Sequence, residues 1–259
     1  MRSIKVVKIG GNVINKPEKL DAFLADFARI EGPKILVHGG GREATRLCDV
    51  LGIPTTMIDG RRVTDRKTLD VVTMVYAGLI NKTIVAKLQA LGCDAIGLSG
   101  ADANIIKATR RPAEPVDYGY VGDIDLANVT ESDIAHMIRF ELTPVFCSIT
   151  HDGNGTLLNC NADTVASALA CAASRIQSVR LIYCFEKRGV LSAPDDDDSV
   201  IPSVTGANYP QLRAEGVISG GMIPKIDNAF AAIRGGVKSV TIKSADELLD
   251  ASAGTTITA

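Results

Sequence analysis

The sequence predicts an α/β protein built on a mostly parallel sheet with helices on both faces. Two observations lead there. Short apolar strand segments alternate with helical periodicities along nearly all of the 259 residues, and parallel strands need crossover helices that then cover the sheet. The chain also opens by repeating one unit, strand, glycine turn and helix. No low-complexity linker or fixed-period repeat divides it. The strand pattern restarts near residue 176, which predicts two lobes, 1–176 and 177–259, sharing one continuous sheet.

In chain order, Ile4 to Ile9 forms the first strand and breaks at Gly10-Gly11. Pro17 then opens a helix whose Leu20, Phe23, Leu24, Phe27 and Ile30 mark one buried face. Ile35 to Val37 is the second strand; Gly39-Gly40-Gly41 follows, with a helix from about Arg42 to Leu51 closed by Gly52. "IPTTMIDGRRVT" reads as a strand or a hairpin around Asp59-Gly60, and a long helical pattern from Asp65 to Leu91 is interrupted at Gly78. Segments 94–100, 104–109 and 118–126 read as strands, the last two as a hairpin. Thr130 begins a T-x-x-D cap for the next helix; "TPVFCSIT", the hairpin "HDGNGTLL" and the helix "ADTVASALACAAS" follow. The second lobe reads as strand "VRLIYCF", an aspartate-bearing loop, a helix at Tyr209 to Glu215, "ISGGMIPK", a helix to about Arg234, strand "VKSVTIK", helix "ADELLDA" and a terminal strand "TTIT".

Composition narrows the functions. Apolar residues make up 46% and charged residues 22%, and the net charge is −2, so no broad positive field exists for nucleic acid or an anionic membrane. Any anionic small molecule must be held by local charge. The six cysteines, at 48, 93, 147, 160, 171 and 184, show no C-x-x-C pair or zinc-ligand spacing and read as buried thiols of a reducing, cytoplasmic compartment. No leader pattern and no apolar run of about 18 residues is evident. The four consecutive aspartates, 195–198, cannot all face one ion and read as a solvated loop. No metal site is expected.

Two glycine turns at the carboxyl edge of a parallel sheet, each handing the chain to a helix amino end, make a phosphate cleft. Gly39-Gly40-Gly41-Arg42-Glu43-Ala44 also fits G-x-G-x-x-[G/A], with Asp59 downstream, so a dinucleotide-binding dehydrogenase is a rival. That motif follows the second strand rather than the first, and the dehydrogenase leaves Lys8 unexplained. A Walker A loop is absent. Lys8 is either a snorkelling strand-end lysine or an ammonium aimed at phosphate, and Lys225 is either a surface lysine or its counterpart. Asn159, Asn161 and Asp163 in "NCNAD" either cap a helix or line a site.

Taken together, K-x-G-G-N at 8–12, V-H-G-G-G at 37–41, G-x-R-V-T at 60–64, A-G-x-x-N-K-T at 77–83, N-x-N-A-D-x-x-A at 159–166 and G-G-M-x-P-K at 220–225 resemble, in that order, the acylglutamate-phosphorylating branch of the amino acid kinase family. The resemblance covers nearly the whole chain. It implies a three-layer αβα sandwich and ATP-dependent phosphorylation of the γ-carboxylate of N-acetyl-L-glutamate, or another N-acyl-L-glutamate, in arginine biosynthesis. It assigns Lys8 and Lys225 to stabilising the transferring phosphoryl group and Asp163 to holding both lysines. Gly10, Gly11 and Gly40 would give it N–H groups, and Gly40, Gly41, Arg62 and Asn159 would bind the acylated amino acid. Gly10, Gly11, Glu186, Gly189, Gly221 and Met222 fall to phosphate and nucleotide. The first lobe would bind acylglutamate and form a homodimer; the second would bind ATP, with Mg²⁺ held mainly by its phosphates and water.

The chemistry agrees: a γ-carboxylate is already ionised at pH 7 and needs no general base, only alignment and neutralisation of charge. Aspartate, uridylate and carbamate kinases of the same fold open with different motifs. A non-catalytic sensor is the remaining alternative, weakened by the presence of both lysines and Asp163. The chain departs from the family where [ST]-D-V-x-G is usual: here Phe185-Glu186-Lys187-Arg188-Gly189 stands, with Glu186 in place of the aspartate. It also begins directly at its first strand, which in this family implies a plain dimer without arginine feedback.

Overall fold

The order of strands in the sheet follows from where each glycine turn and helix sends the chain. The computed structural model describes residues 3–126, 129–193, 195–220 and 222–259. Among these, eight strands form one sheet: β1 (Ile4–Ile9), β2 (Lys34–His38), β3 (Ala95–Leu98), β4 (Thr143–Phe146), β5 (Val179–Phe185), β6 (Ser203–Thr205), β7 (Ser239–Ser244) and β8 (Thr255–Thr258), in the spatial order β6-β8-β7-β5-β1-β2-β4-β3. All neighbours run parallel except β7 and β8. Strands up to residue 146 make one half of the sheet and strands from residue 179 the other, joined where β1 pairs with β5.

Alternation along β1 sends Ile4 and Val6 to one face and Val7 and Ile9 to the other. The first face packs on the helices α4 (Glu131–Arg139), α5 (Ala162–Ser174) and α7 (Met222–Arg234). The second packs on α1 (Pro17–Arg29), α2 (Gly41–Val50) and α3 (Arg66–Ala90). Helix α6 (Tyr209–Ala214) is a short surface element. The expected αβα layering is thus present. At α5 the core layer is dense with small residues: Ala166, Ala168, Ala170, Ala172 and Ala173 are fully buried, letting the helix lie close on β1.

Several local expectations are revised. The long helix is not broken at Gly78; it continues through a π-helical turn, Met74–Ile80, into Asn81–Ala90. At 25 residues, with a mean hydropathy of 1.4 over its most apolar window, it is long and apolar enough to cross a membrane by length and composition alone. Here Leu69, Val72, Val75, Ile84 and Leu88 bury it in the core. "ADELLDA" shrinks to a 3-10 turn, Ala245–Glu247, and Thr130 occupies the cap position of α4 without a side-chain cap bond. The hairpin around Asp59-Gly60 is realised by Met57–Ile58 and Arg61–Arg62, with both turn residues at positive φ (49° and 74°). Asp197 and Asp198 pair with Lys187 and Arg188 at 2.9 and 2.6 Å. All six cysteines are buried, free thiols.

Candidate active site

Lys8 shares its face of β1 with Ile4 and Val6, so the pleat that buries those residues against α5 carries its stem toward the start of the same helix. There Asn161 caps the helix, its side-chain oxygen accepting from the N–H groups of Asp163 (2.8 Å) and Thr164 (3.4 Å). The cap fixes Asp163 in the first turn, where the helix end favours negative charge. Lys8 Nζ lies 2.7 Å from Asp163 Oδ1, and Lys225 Nζ, from the first turn of α7, donates to Oδ2 at 3.1 Å. Burial alone would push the Asp163 carboxyl up; the two ammoniums outweigh it and hold it below its ordinary value. Burial pulls Lys225 below the usual lysine range against the pull of Asp163. Tyr183, paired in register with Lys8, bonds Ser167 Oγ (2.7 Å) and donates to the Asp163 carbonyl (3.2 Å), bracing the helix end.

Two other buried lysines set the scale for this arrangement. Lys34 donates to the carbonyls of Ala28 and Ile30, and Lys243 to those of Glu247 and Asp250. Both only close off nearby turns. Lys8 instead shares a carboxylate with a second lysine, and both lysines line an open cavity of about 370 Å³ together with Gly10, Gly11 and Glu186. One carboxylate between two ammoniums leaves one positive charge in excess, facing that space.

A second cavity, about 180 Å³, lies on the other side of the glycine turn and is lined by Gly39, Gly40, Arg62, Tyr76 and Asn159. Gly41 lines both. Arg62 is buried: Nη2 donates to Gly41 O (2.9 Å) and Thr45 Oγ1 (2.7 Å), Nη1 to Thr55 Oγ1 (3.2 Å), and Nε is buried without a partner. That guanidinium brings a positive charge to the cavity wall. Asn159 donates to Thr64 Oγ1 (3.0 Å), which in turn donates to Arg62 O (3.0 Å).

The glycine turn is set by a pair the sequence reading passed over. His38 is fully buried, with Nδ1 2.8 Å from Gly39 O and Nε2 3.0 Å from Asn81 Nδ2, which also donates to Val145 O (2.9 Å). Burial drives its pKa down to about 4, so the ring is neutral, donating through Nδ1 and accepting at Nε2. The π-helical turn presses on Gly40, where a Cβ would stand 2.4 Å from Ile80 Cδ1 and 2.8 Å from Tyr76 Cδ1. Asn81 lies in the motif at 77–83, but its partner is 43 residues away.

The sequence-predicted residues divide as follows. Lys8, Asp163 and Lys225 converge; Gly40, Gly41, Arg62 and Asn159 line the smaller cavity; Gly10, Gly11 and Glu186 line the larger. Gly10 cannot serve as an N–H donor as expected, because its N–H continues the ladder to Cys184 O at 3.0 Å. Gly11 and Asn12, in the helical turn Gly11–Ile14, have first-turn N–H groups and line the cavity. Gly189 lines neither cavity: it is buried where a Cβ would meet Thr255 and Val200 at 2.8 Å. Met222 begins α7 and packs on the core, and Gly221 lies outside the described residues. Phe185, unassigned by sequence, forms one wall of the larger cavity.

Comparison with known proteins places the sequence and the fold. The chain is 51% identical over 254 residues to an acetylglutamate kinase of Phocaeicola vulgatus, covering 98% of each, and 52% identical over 251 residues to one of Cytophaga hutchinsonii, covering 96% and 94%. In structure it resembles an N-acetylglutamate synthase of Neisseria gonorrhoeae, complexed with coenzyme A and N-acetyl-glutamate, with a TM-score of 0.82 at 21% identity over 99% of this chain and 59% of that one. Residues 3–244 match the amino acid kinase family. In sequence over nearly its full length, and in the sandwich that brings its two lysines together, the chain belongs to the amino acid kinase family.

Proposed function

We propose that this chain transfers the γ-phosphoryl group of ATP to the γ-carboxylate of N-acetyl-L-glutamate, or a closely related N-acyl-L-glutamate, giving the acyl-glutamyl 5-phosphate and ADP in arginine biosynthesis. The observation that carries the reading is Lys8–Asp163–Lys225, with one uncompensated positive charge facing the larger cavity and the glycine turn separating that cavity from a second one. Two anions must be brought into line, and the charge spreading over the transferring group must be neutralised.

The smaller cavity suits the acceptor. Arg62 holds a carboxylate, Asn159 and the Gly40-Gly41 backbone hold the amide, and the γ-carboxylate emerges at Gly41. It attacks the γ-phosphorus as an ionised nucleophile, so no proton has to be removed. Lys8 and Lys225 take the charge on the equatorial oxygens, with N–H groups at Gly11 and at the start of α2 beside them. Residues 1–176 serve the acceptor and residues 177–259 the nucleotide. Asp163 is already shared by two ammoniums, and the larger cavity is mainly cationic, so its residues suit phosphates rather than a bare ion. Mg²⁺ is therefore read as held by ATP phosphates and water, where it supplies further charge neutralisation.

A homodimer acting in the cytoplasm completes the reading. Its support is the apolar exposure of Met74 (54%) and Leu79 (55%) on the outer side of α3. Light scattering at micromolar concentration tests it: a monomeric mass would remove that part. The activity is tested by ADP release with MgATP and N-acetyl-, N-succinyl- or free L-glutamate. Turnover with an N-acyl form and little with the free amino acid is expected; no turnover with any of the three would overturn the kinase assignment.

A further inference from the structure

One wall of the lysine-lined cavity is a surface no phosphate would seek. Phe185, the last residue of β5, presents its ring with the centroid 3.8 Å from Lys225 Nζ and 5.2 Å from Lys8 Nζ. An aromatic face carries partial negative charge, which repels phosphate oxygens and attracts ammonium groups within about 6 Å. The ring stacks on Tyr183 with centroids 6.2 Å apart and planes 22° apart.

The lysines face an electrostatic problem that this ring answers. Two ammoniums converge on the single carboxylate of Asp163, so they repel each other, and burial weakens the charged form of Lys225. A second carboxylate would hold them but cancel the positive charge that the phosphoryl group requires. A ring face stabilises both cations and leaves their charge intact. We propose that Phe185 is a positioning residue: its ring holds the Lys225 and Lys8 ammoniums side by side above Asp163, charged and directed into the cavity. The consequence for turnover rests on the kinase reading above; the contact itself does not.

The groups facing Lys225 are Asp163 from α5, Lys8 from β1, and Glu186 and Arg42 across the same cavity. On its own helix, Asp227 accepts from Tyr209 Oη at 2.8 Å. None of these supplies what the ring supplies, so replacing the ring should move Lys225 itself.

The test compares Phe185→Leu, apolar without a π face, with Phe185→Tyr, which keeps the ring. Phe185→Leu is expected to lower kcat roughly tenfold with little change in the KM for acylglutamate. Its alkaline limb of kcat should move to lower pH, because the ammonium has lost a stabilising partner. Phe185→Tyr should stay near wild type on both measures. Carbon-13 titration of the Lys225 Cε resonance in the full chain reads the contact without turnover and should move downward in Phe185→Leu alone. Leucine behaving as wild type, or tyrosine failing as leucine does, overturns the proposal. A wild-type protein inactive on every acylglutamate would sink the kinase reading, while the lysine titration would still decide the ring's role. Should Phe185→Leu not fold, Phe185→Met takes its place with the same outcomes.

Discussion

On the acceptor side, Arg62 donates to three groups, Asn159 is tied through Thr64 to the Arg62 carbonyl, and the glycine turn is set from beneath by His38 and Asn81. On the nucleotide side, Glu186 is exposed, Lys225 keeps 28% of its side chain accessible, and the contacts are one carboxylate and one ring. The first wall is fixed by directional bonds and suits recognition of one molecular shape. The second rests on two ion pairs and a ring face, and under the proposed function such contacts would let the ammonium groups follow a phosphoryl group as it moves between oxygens.

The strongest way to break this contrast is at the lysines. Lys8→Met and Lys225→Met should each reduce kcat by about 10³-fold or more, since each removes charge stabilisation at the transferring group. Melting temperatures should change far less, because Asp163 keeps one partner. Near-wild-type kcat in either variant would take that lysine out of the chemistry. On the acceptor side, Arg62→Ala should raise the KM for acylglutamate by about 10- to 100-fold, the worth of a charge-assisted pair, and leave the KM for ATP nearly unchanged. An equal rise in both would erase the division between the walls.

Gly40→Ala probes rigidity instead of charge. Its Cβ would collide with Ile80 and Tyr76, so a loss of roughly 1–3 kcal/mol in denaturant unfolding is expected, together with weaker acceptor binding. Tolerance would mean the π-helical turn yields easily. The smallest effect concerns pH. Asp163 is held below its ordinary value in the fold, so the unfolded chain binds its proton more tightly; the stability it contributes is present above about pH 4 and lost as pH falls through the folded value. Lys225→Met lets burial push that carboxyl back up, and the acid slope of urea midpoints should flatten. An unchanged slope would mean Lys225 contributes little to holding the carboxylate ionised.

Much of the site was legible because its residues sit beside local signals. Lys8 stands one residue before the end of a strand that runs into a glycine turn, Asp163 follows a capping asparagine, and Arg62 follows an Asp-Gly hairpin. What was not legible depends on distant pairing. The Gly10 N–H is engaged by β5, more than 170 residues away in the chain. His38 meets Asn81 across 43 residues, and Phe185 acquires meaning only when α7 brings Lys225 over its ring. In the fold, the strand and helix periods carried the layering, whereas the π-helical turn escaped, since Gly78 resembles a breaker and the helix passes through it. Gly189 shows the converse: a glycine read as ligand-binding is held by packing against Thr255.

The place of β1 in the sheet has a consequence during synthesis. The first strand to leave the ribosome becomes a central one, with β2 on one side and β5 on the other, and its second partner begins at Val179. Until then its far edge is an open row of backbone donors and acceptors, the kind of surface on which nascent chains aggregate. Lys5 and Lys8 put one charge on each face of that strand, and charged residues on an unpaired strand oppose its association with other chains. Substituting Lys8 should therefore reduce the soluble yield of newly made chains more than the stability of finished ones.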